Sequence, residues 1–133
     1  MNTRAVAYWT TTGLFSAALG MSGLATLSRQ PPLVAAYQHL GYPLYFMSIL
    51  GAAKLLGVLT LLAPGLPRLK EWAYAGFTFV LLGATASHLF SGDAIGVAAF
   101  PAALLLPLAV SYQLRHARGA VAQAASGLTA SLA

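Results

Sequence analysis

One basic side chain, Lys54, lies near the middle of an apolar stretch that is long enough to span a membrane. A central lysine costs about 2.5 to 3.5 kcal/mol to insert into lipid, so its presence there requires a reason. At helical spacing its face also carries Gly51 and Gly57, which would leave room for a partner or a ligand. Two interpretations stay open. The lysine binds a ligand or moves a proton inside the protein, or it is structural and either snorkels or joins two helices by bonding a carbonyl or a carboxylate.

A second group of polar residues recurs at helical spacing in the next apolar stretch, within an arc of about 100°. The group consists of Glu71, Tyr74, Thr78, Thr85 and His88. Intramembrane polar groups usually face the protein interior or a water-filled cleft rather than lipid. We therefore predict a ligand-binding cleft between these two helices. Its predicted lining is Lys54, Tyr74, Thr78, Thr85 and His88, with its opening near His39 and Asp93 and with Glu71 at the other end of the arc.

Each ionisable group in this set also has a structural interpretation. A carboxylate such as Glu71 in the first turn of a helix is stabilised by the helix dipole. His88 would be a wet interfacial histidine that is hydrogen-bonded to Asp93. If instead Glu71 or His88 served as a general acid or base, the chain would be an enzyme acting on a lipophilic substrate. The sequence leaves open whether it is an enzyme.

Several kinds of chemistry are excluded by composition. The sequence contains no cysteine, which excludes disulfides, thiolate catalysis and cysteine-ligated metals. Its three histidines never recur at i, i+4 within one span, the spacing that a haem or metal site would favour. We predict no metal site and no covalently bound cofactor. A redox role would then rely on a bound organic molecule, such as a quinone, or on a partner.

The composition is that of an integral membrane protein. Hydrophobic residues make up 59% of the chain and charged residues only 7%, whereas soluble domains carry about 25% charged residues. The lipid bilayer is therefore the expected partner of most of the surface. The seven Lys and Arg residues are scattered and form no basic run, so nucleic acid is not an expected partner.

Four apolar segments have about the length that crosses a bilayer as a helix. They are residues 5–27, 43–63, 70–90 and 94–114. We predict an all-α integral membrane four-helix bundle, a single domain of residues 1–118. The Ala, Ser and Gly residues of the tail, 119–133, indicate a frayed helix end or disorder.

The links between the spans are short and contain Pro and Gly. The link between the first two is long enough for a short interfacial helix before the chain re-enters at Pro43. Pro101 and Pro107 lie inside the fourth span and are expected to kink it.

The distribution of Lys and Arg predicts the orientation. Four spans would place five basic residues on one side: Arg4, Arg68, Lys70, Arg115 and Arg118. The other side would hold only Arg29. Because basic residues concentrate on the cytoplasmic side, both termini are predicted to be cytoplasmic.

Three runs carry a resemblance to a known family: GYP at 41–43, GAAKLLG at 51–57 and PRLKEWAYAG at 67–76. Gly83-Ala84, Ser87-His88 and Gly92-Asp93 complete it. Residues 41–93 resemble the DoxX-like family of small bacterial membrane proteins. The resemblance implies a four-helix bundle in the bacterial cytoplasmic (inner) membrane. The positions that it implies are functional are Lys54, Glu71, Trp72, Tyr74, His88 and Asp93.

The function that the resemblance implies is broad. Members are associated with quinone-linked sulfur oxidation, terminal oxidases and other membrane oxidoreductase complexes, and animal relatives assist receptor assembly. We expect a component of a membrane oxidoreductase system that binds a quinone or another lipophilic molecule. The alternative is a non-catalytic accessory or assembly subunit that packs within a larger membrane complex or a homo-oligomer.

Overall fold

The computed structural model describes residues 2–132, and every regular element in that range is an α-helix. The helices are α1 Thr3–Leu27, α2 Pro31–His39, α3 Leu44–Leu62, α4 Pro67–Phe90, α5 Ile95–Ala103 and α6 Leu105–Ser131. The predicted all-α class is confirmed, and the short helix α2 lies where the link between the first two apolar segments was expected to form one.

Three helical units in the described range are long and apolar enough to cross a membrane: Leu44–Leu62, Pro67–Phe90 and Ile95–Ser131. The remaining long helix, α1, has 25 residues, about 37 Å at 1.5 Å per residue. Its length would suffice for a crossing, but its many Thr and Ser residues make it less apolar than the other three. The structure therefore supports a membrane protein with at least three candidate spans.

The long helices pack side by side in a ring. α1 packs against α3 and α6, and α4 packs against α3 and α5. Across the centre, the rings of Phe15 on α1 and Phe77 on α4 meet edge-on with centroids 5.4 Å apart. The buried core around this pair also contains Leu19, Val58, Leu61, Tyr74, Leu81 and Leu108.

The two prolines of the fourth segment divide it into α5 and α6. Pro107 has no N–H to donate to the carbonyl one turn earlier, and its ring crowds that carbonyl. The chain turns at Leu104, whose N–H bonds the Pro101 carbonyl at 3.2 Å in a tighter turn. The expected kink is thus a break between two helices.

The tail is helical as far as the structure describes it. α6 continues to Ser131, so disorder, one of the two alternatives expected for 119–133, is wrong for residues 119–131. Residues 119–132 are all exposed, and Val121, Ala122 and Ala125 border a groove against the first residues of α1. The last residue, Ala133, lies outside the described residues.

Candidate functional site

Two helix ends place polar side chains at the same end of the molecule. α4 ends in a Schellman motif, in which the Asp93 N–H donates to the His88 carbonyl at 3.0 Å and Gly92 has φ 75°. α2 ends in the same way, with the Tyr42 N–H donating to the Tyr37 carbonyl at 2.9 Å. Both motifs need a left-handed residue, which glycine supplies at little cost. They turn the chain back at each helix end, so that Asp93 lies next to the last turn of α4 and Tyr42 next to the last turn of α2.

Asp93 joins α2 to α4 through two histidines. His39 Nε2 lies 2.6 Å from Asp93 Oδ1, and His88 Nδ1 lies 2.7 Å from Asp93 Oδ2. These hydrogen bonds hold the pKa of the Asp93 carboxyl below its usual value, so the carboxylate stays ionised at neutral pH. Next to them, the hydroxyls of Tyr42 and Ser87 lie 2.6 Å apart. α2 is therefore fixed to the end of α4 by side-chain hydrogen bonds.

Below these hydrogen bonds lies a cleft of about 410 Å³ between α2, α3 and α4. The α2 wall consists of Leu33, Ala36, Tyr37 and Leu40, an i, i+3, i+4, i+7 stripe typical of an amphipathic helix. The α3 and α4 walls are mostly apolar as well: Phe46, Leu50, Phe79, Val80, Gly83 and Ala84. Tyr42, Lys54 and His88 are the other lining residues. We call this space the α2–α4 cleft.

Lys54 and His88 lie at different depths of the α2–α4 cleft. Phe46, near the start of α3, is eight residues before Lys54, which corresponds to about 12 Å along the helix. His88 lies in the last turn of α4, beside Asp93. Lys54 therefore lies at the end of the cleft nearer the middle of α3, and the His88 imidazole lies at the end nearer Asp93. The walls between them are mostly apolar.

The Lys54 ammonium points into the bundle, as the cost of exposing it to lipid predicts. Its Nζ donates to the Ser22 hydroxyl of α1 at 3.0 Å. The space beside Gly51 is not available to a ligand, whereas Gly57 borders a cavity of about 250 Å³ that Lys54 also lines. A Cβ at Gly51 would lie 2.7 Å from Leu27 Cγ, and one at Gly57 would lie 2.7 Å from the Phe77 ring. The expectation that these glycines leave room near the lysine is therefore wrong for Gly51, where α1 packs closely against α3.

Two smaller cavities also border Lys54. One, of about 250 Å³, lies between α3 and α4, and the other we call the inner cavity. Its volume is about 260 Å³, and it lies between α1, α4 and α5. It shares Lys54, Val80 and Ala84 with the α2–α4 cleft. Lys54 therefore borders both the α2–α4 cleft and the inner cavity.

Tyr74 belongs to a buried hydroxyl network rather than to the α2–α4 cleft. Its hydroxyl lies 2.7 Å from Ser111 Oγ, which lies 2.6 Å from Thr12 Oγ1. All three side chains are buried. The network connects α1, α4 and α6.

Glu71 pairs with α6 at the opposite end of the bundle. Arg115 donates to its carboxylate, and His116 Nε2 lies 3.2 Å from Glu71 Oε1. Glu71, Tyr74 and Thr78 line a separate groove of about 390 Å³ between α4 and α6. Because α4 begins at Pro67, Glu71 lies beyond the first helical turn, so the interpretation of Glu71 as a first-turn carboxylate is wrong.

The predicted lining of the cleft is therefore corrected in part. The structure brings Lys54 and His88 to one cleft, whereas Tyr74 and Thr78 face α6 and Thr85 lines none of the described cavities. The Thr78 and Thr85 hydroxyls donate to carbonyls one turn earlier in α4, at 2.8 and 2.9 Å. The reason is that α4 meets different neighbours along its length, so one polar arc does not face one cleft.

Several cleft residues were missed by the sequence reasoning. The Leu33, Ala36, Tyr37 and Leu40 stripe was a usable signal, because its spacing predicts a buried face on α2. Ser22, the hydrogen-bond partner of Lys54, was also missed, since a serine in an apolar helix is ordinary. Within residues 2–132 the structure contains no cluster of three or more His, Asp or Glu side chains suited to a metal ion.

Comparison with known proteins gives one match. The model of the DoxX-like family matches residues 10–111, which extends the resemblance at 41–93 into α1, α5 and α6. No curated protein and no solved structure matches significantly. The matched segment covers more than half of the chain and contains the whole of the α2–α4 cleft. The chain is a membrane protein that belongs to the DoxX-like family.

Proposed function

We propose that this protein binds an elongated lipophilic molecule, such as a quinone, in the α2–α4 cleft, as a component of a membrane oxidoreductase system. The observation that carries the proposal is the cleft itself: about 410 Å³ of mostly apolar space with Lys54 at one end and His88 near the other. Ligand sites are typically apolar clefts of this size with a few polar groups that orient the ligand.

The proposal includes four membrane spans, with α1 as the first, and both termini in the cytoplasm of a bacterium. The five-to-one bias of Lys and Arg supports this orientation. Because the chain has no native cysteine, single cysteines at Gln30 and Ala120 report unambiguously. A membrane-impermeant thiol reagent added to intact cells should modify the first and leave the second unmodified. Modification of the cysteine at Ala120 alone would show that the orientation is the reverse of the proposed one.

A cleft-filling substitution tests the binding function. A Cβ at Gly83 would meet no atom within 4 Å, so Gly83→Leu adds a side chain to the cleft wall without a backbone clash. We expect the amount of the co-purifying lipophilic molecule, measured by mass spectrometry of an organic extract, to fall about tenfold. A steric clash that weakens binding by about 1.4 kcal/mol is enough for this decrease.

The matched control is Gly96→Leu. Gly96 also has open space around its Cβ position, but it lies on α5 and does not line the cleft. This variant should retain the lipophilic molecule at the wild-type level. If both variants are folded and retain it equally, the cleft is not a binding site.

The second candidate function is a non-catalytic accessory subunit. The observation in its favour is the exposed end of α6, where Val121 and Leu128 are 49% and 66% exposed. The exposed apolar side chains of this helix end are available to contact a larger complex or a second copy of the protein. This function should replace ligand binding if Gly83→Leu has no effect and a partner co-purifies.

A further inference from the structure

Both acidic side chains of this protein are already paired with groups other than Lys54. The sequence contains two acidic residues in all, Glu71 and Asp93. Asp93 accepts hydrogen bonds from two histidines, and Glu71 accepts one from Arg115 and lies beside His116. The protein therefore has no acidic side chain left to pair with Lys54.

The two acidic residues are also too far along the bundle to reach the lysine. Val80 of α4 lines all three described cavities that border Lys54, so the two side chains lie at a similar depth. His88, which Asp93 contacts, is eight residues beyond Val80, about 12 Å at helical rise, and Glu71 is nine residues before Val80, about 13 Å. Within residues 2–132, none of the salt bridges includes Lys54.

The hydrogen bonding of Lys54 is incomplete for an ammonium group. An ammonium has three N–H donors, and the described structure gives it one acceptor, the Ser22 hydroxyl. A neutral hydroxyl does not offset the charge, and a charge buried in an apolar region is costly unless it is paired. Lys54 borders both the α2–α4 cleft and the inner cavity, so a ligand there can supply the missing acceptors.

We propose that the ligand of the α2–α4 cleft is a lipophilic anion, a carboxylate on an elongated apolar body, whose charge pairs with Lys54. This inference rests on the proposed function and names its ligand class. The carboxylate would accept charge-assisted hydrogen bonds, which are about twice as strong as neutral ones. Its apolar body would lie along Leu50, Phe46 and Phe79, which line the cleft. A neutral quinone carbonyl would accept a hydrogen bond from Lys54 but would leave the charge unpaired.

The test compares two probes of equal chain length, dodecanoate and dodecanol, by native mass spectrometry of the full chain released from detergent micelles. The wild-type protein should retain dodecanoate about tenfold better than dodecanol, since one charge-assisted pair gives about 1.4 kcal/mol or more. Lys54→Met should abolish this preference. Equal retention of the two probes by the wild-type protein would overturn the inference without any variant.

The control variant is Arg68→Met, which removes the same charge from the chain. Arg68 is exposed at the start of α4 and lines none of the described cavities. It should keep the wild-type preference for dodecanoate, so a loss in both variants would indicate a general charge effect and overturn the inference. Lys54→Arg keeps the charge and should keep the preference, which leaves the test decisive if Lys54→Met does not fold.

The two proposals fail in different ways. If Gly83→Leu lowers the co-purifying molecule while Lys54→Met keeps the wild-type preference, the cleft binds a ligand and the inference about its charge is wrong. If the wild-type protein retains neither probe and Gly83→Leu changes nothing, both proposals are wrong.

Discussion

Gly51→Val is expected to lower the free energy of unfolding by about 3 kcal/mol, the upper range for overpacking a close contact. A Cβ at Gly51 would lie 2.7 Å from Leu27 Cγ and 3.1 Å from the Gly23 carbonyl oxygen. The leucine could change its rotamer, but the carbonyl is backbone and moves only with α1. Helices in membranes associate through small residues that permit such close approach, so valine would separate α1 from α3.

The measurement is reversible unfolding in mixed detergent micelles, followed by circular dichroism. Gly76→Val is the matched control, because a Cβ at Gly76 on α4 would meet no atom within 4 Å. This control should unfold at or above the wild-type midpoint, since valine has a higher helix propensity than glycine. If Gly51→Val unfolds at the midpoint of the control, α1 and α3 do not pack as the structure has them.

Ser111→Ala is expected to cost about 1 to 3 kcal/mol, the penalty for leaving buried polar groups without partners. Ser111 Oγ lies 2.6 Å from Thr12 Oγ1 and 2.7 Å from Tyr74 Oη. Thr12 and Tyr74 are 0% and 4% exposed, so water cannot readily replace the lost hydroxyl. The same unfolding measurement applies.

The control for this variant is Ser126→Ala on the exposed end of α6. The Ser126 hydroxyl bonds only the Gln123 carbonyl in its own helix, at 2.9 Å. Its removal should change stability by less than about 0.5 kcal/mol. The double variant of Thr12→Val with Ser111→Ala should cost less than the sum of the single variants, because the two hydroxyls share one network. Simple additivity would indicate that the network does not exist.

The positions of the helices could be predicted from the sequence because hydropathy and Pro/Gly punctuation are local properties. The predicted segment at 43–63 became α3 at Leu44–Leu62, and that at 70–90 became α4, which begins earlier, at Pro67. The early start has a local cause that was overlooked: proline is favoured in the first turn of a helix. The family assignment was likewise available, since its motifs are runs of adjacent residues.

The site could be predicted only in part. The insertion cost of Lys54 marked it as an interior residue whatever its neighbours, and the structure gives it an interior partner, Ser22. The polar arc of α4 was a correct reading of one helix. The helical spacing predicts the direction of each side chain around the axis of its own helix. It does not predict which neighbouring helix lies in that direction.

The sequence by itself determined the class of the protein, the apolar helices, the interior lysine and the shortage of acidic partners, because each depends on composition or on spacing within one segment. The tertiary structure decided that His88 shares a cleft with Lys54 while Tyr74 joins Ser111 instead. It also decided that α2 forms a wall of the cleft, held by His39 and Asp93. These contacts join residues 37 to 54 positions apart, and they depend on how helices pack across the ring, which hydropathy does not encode.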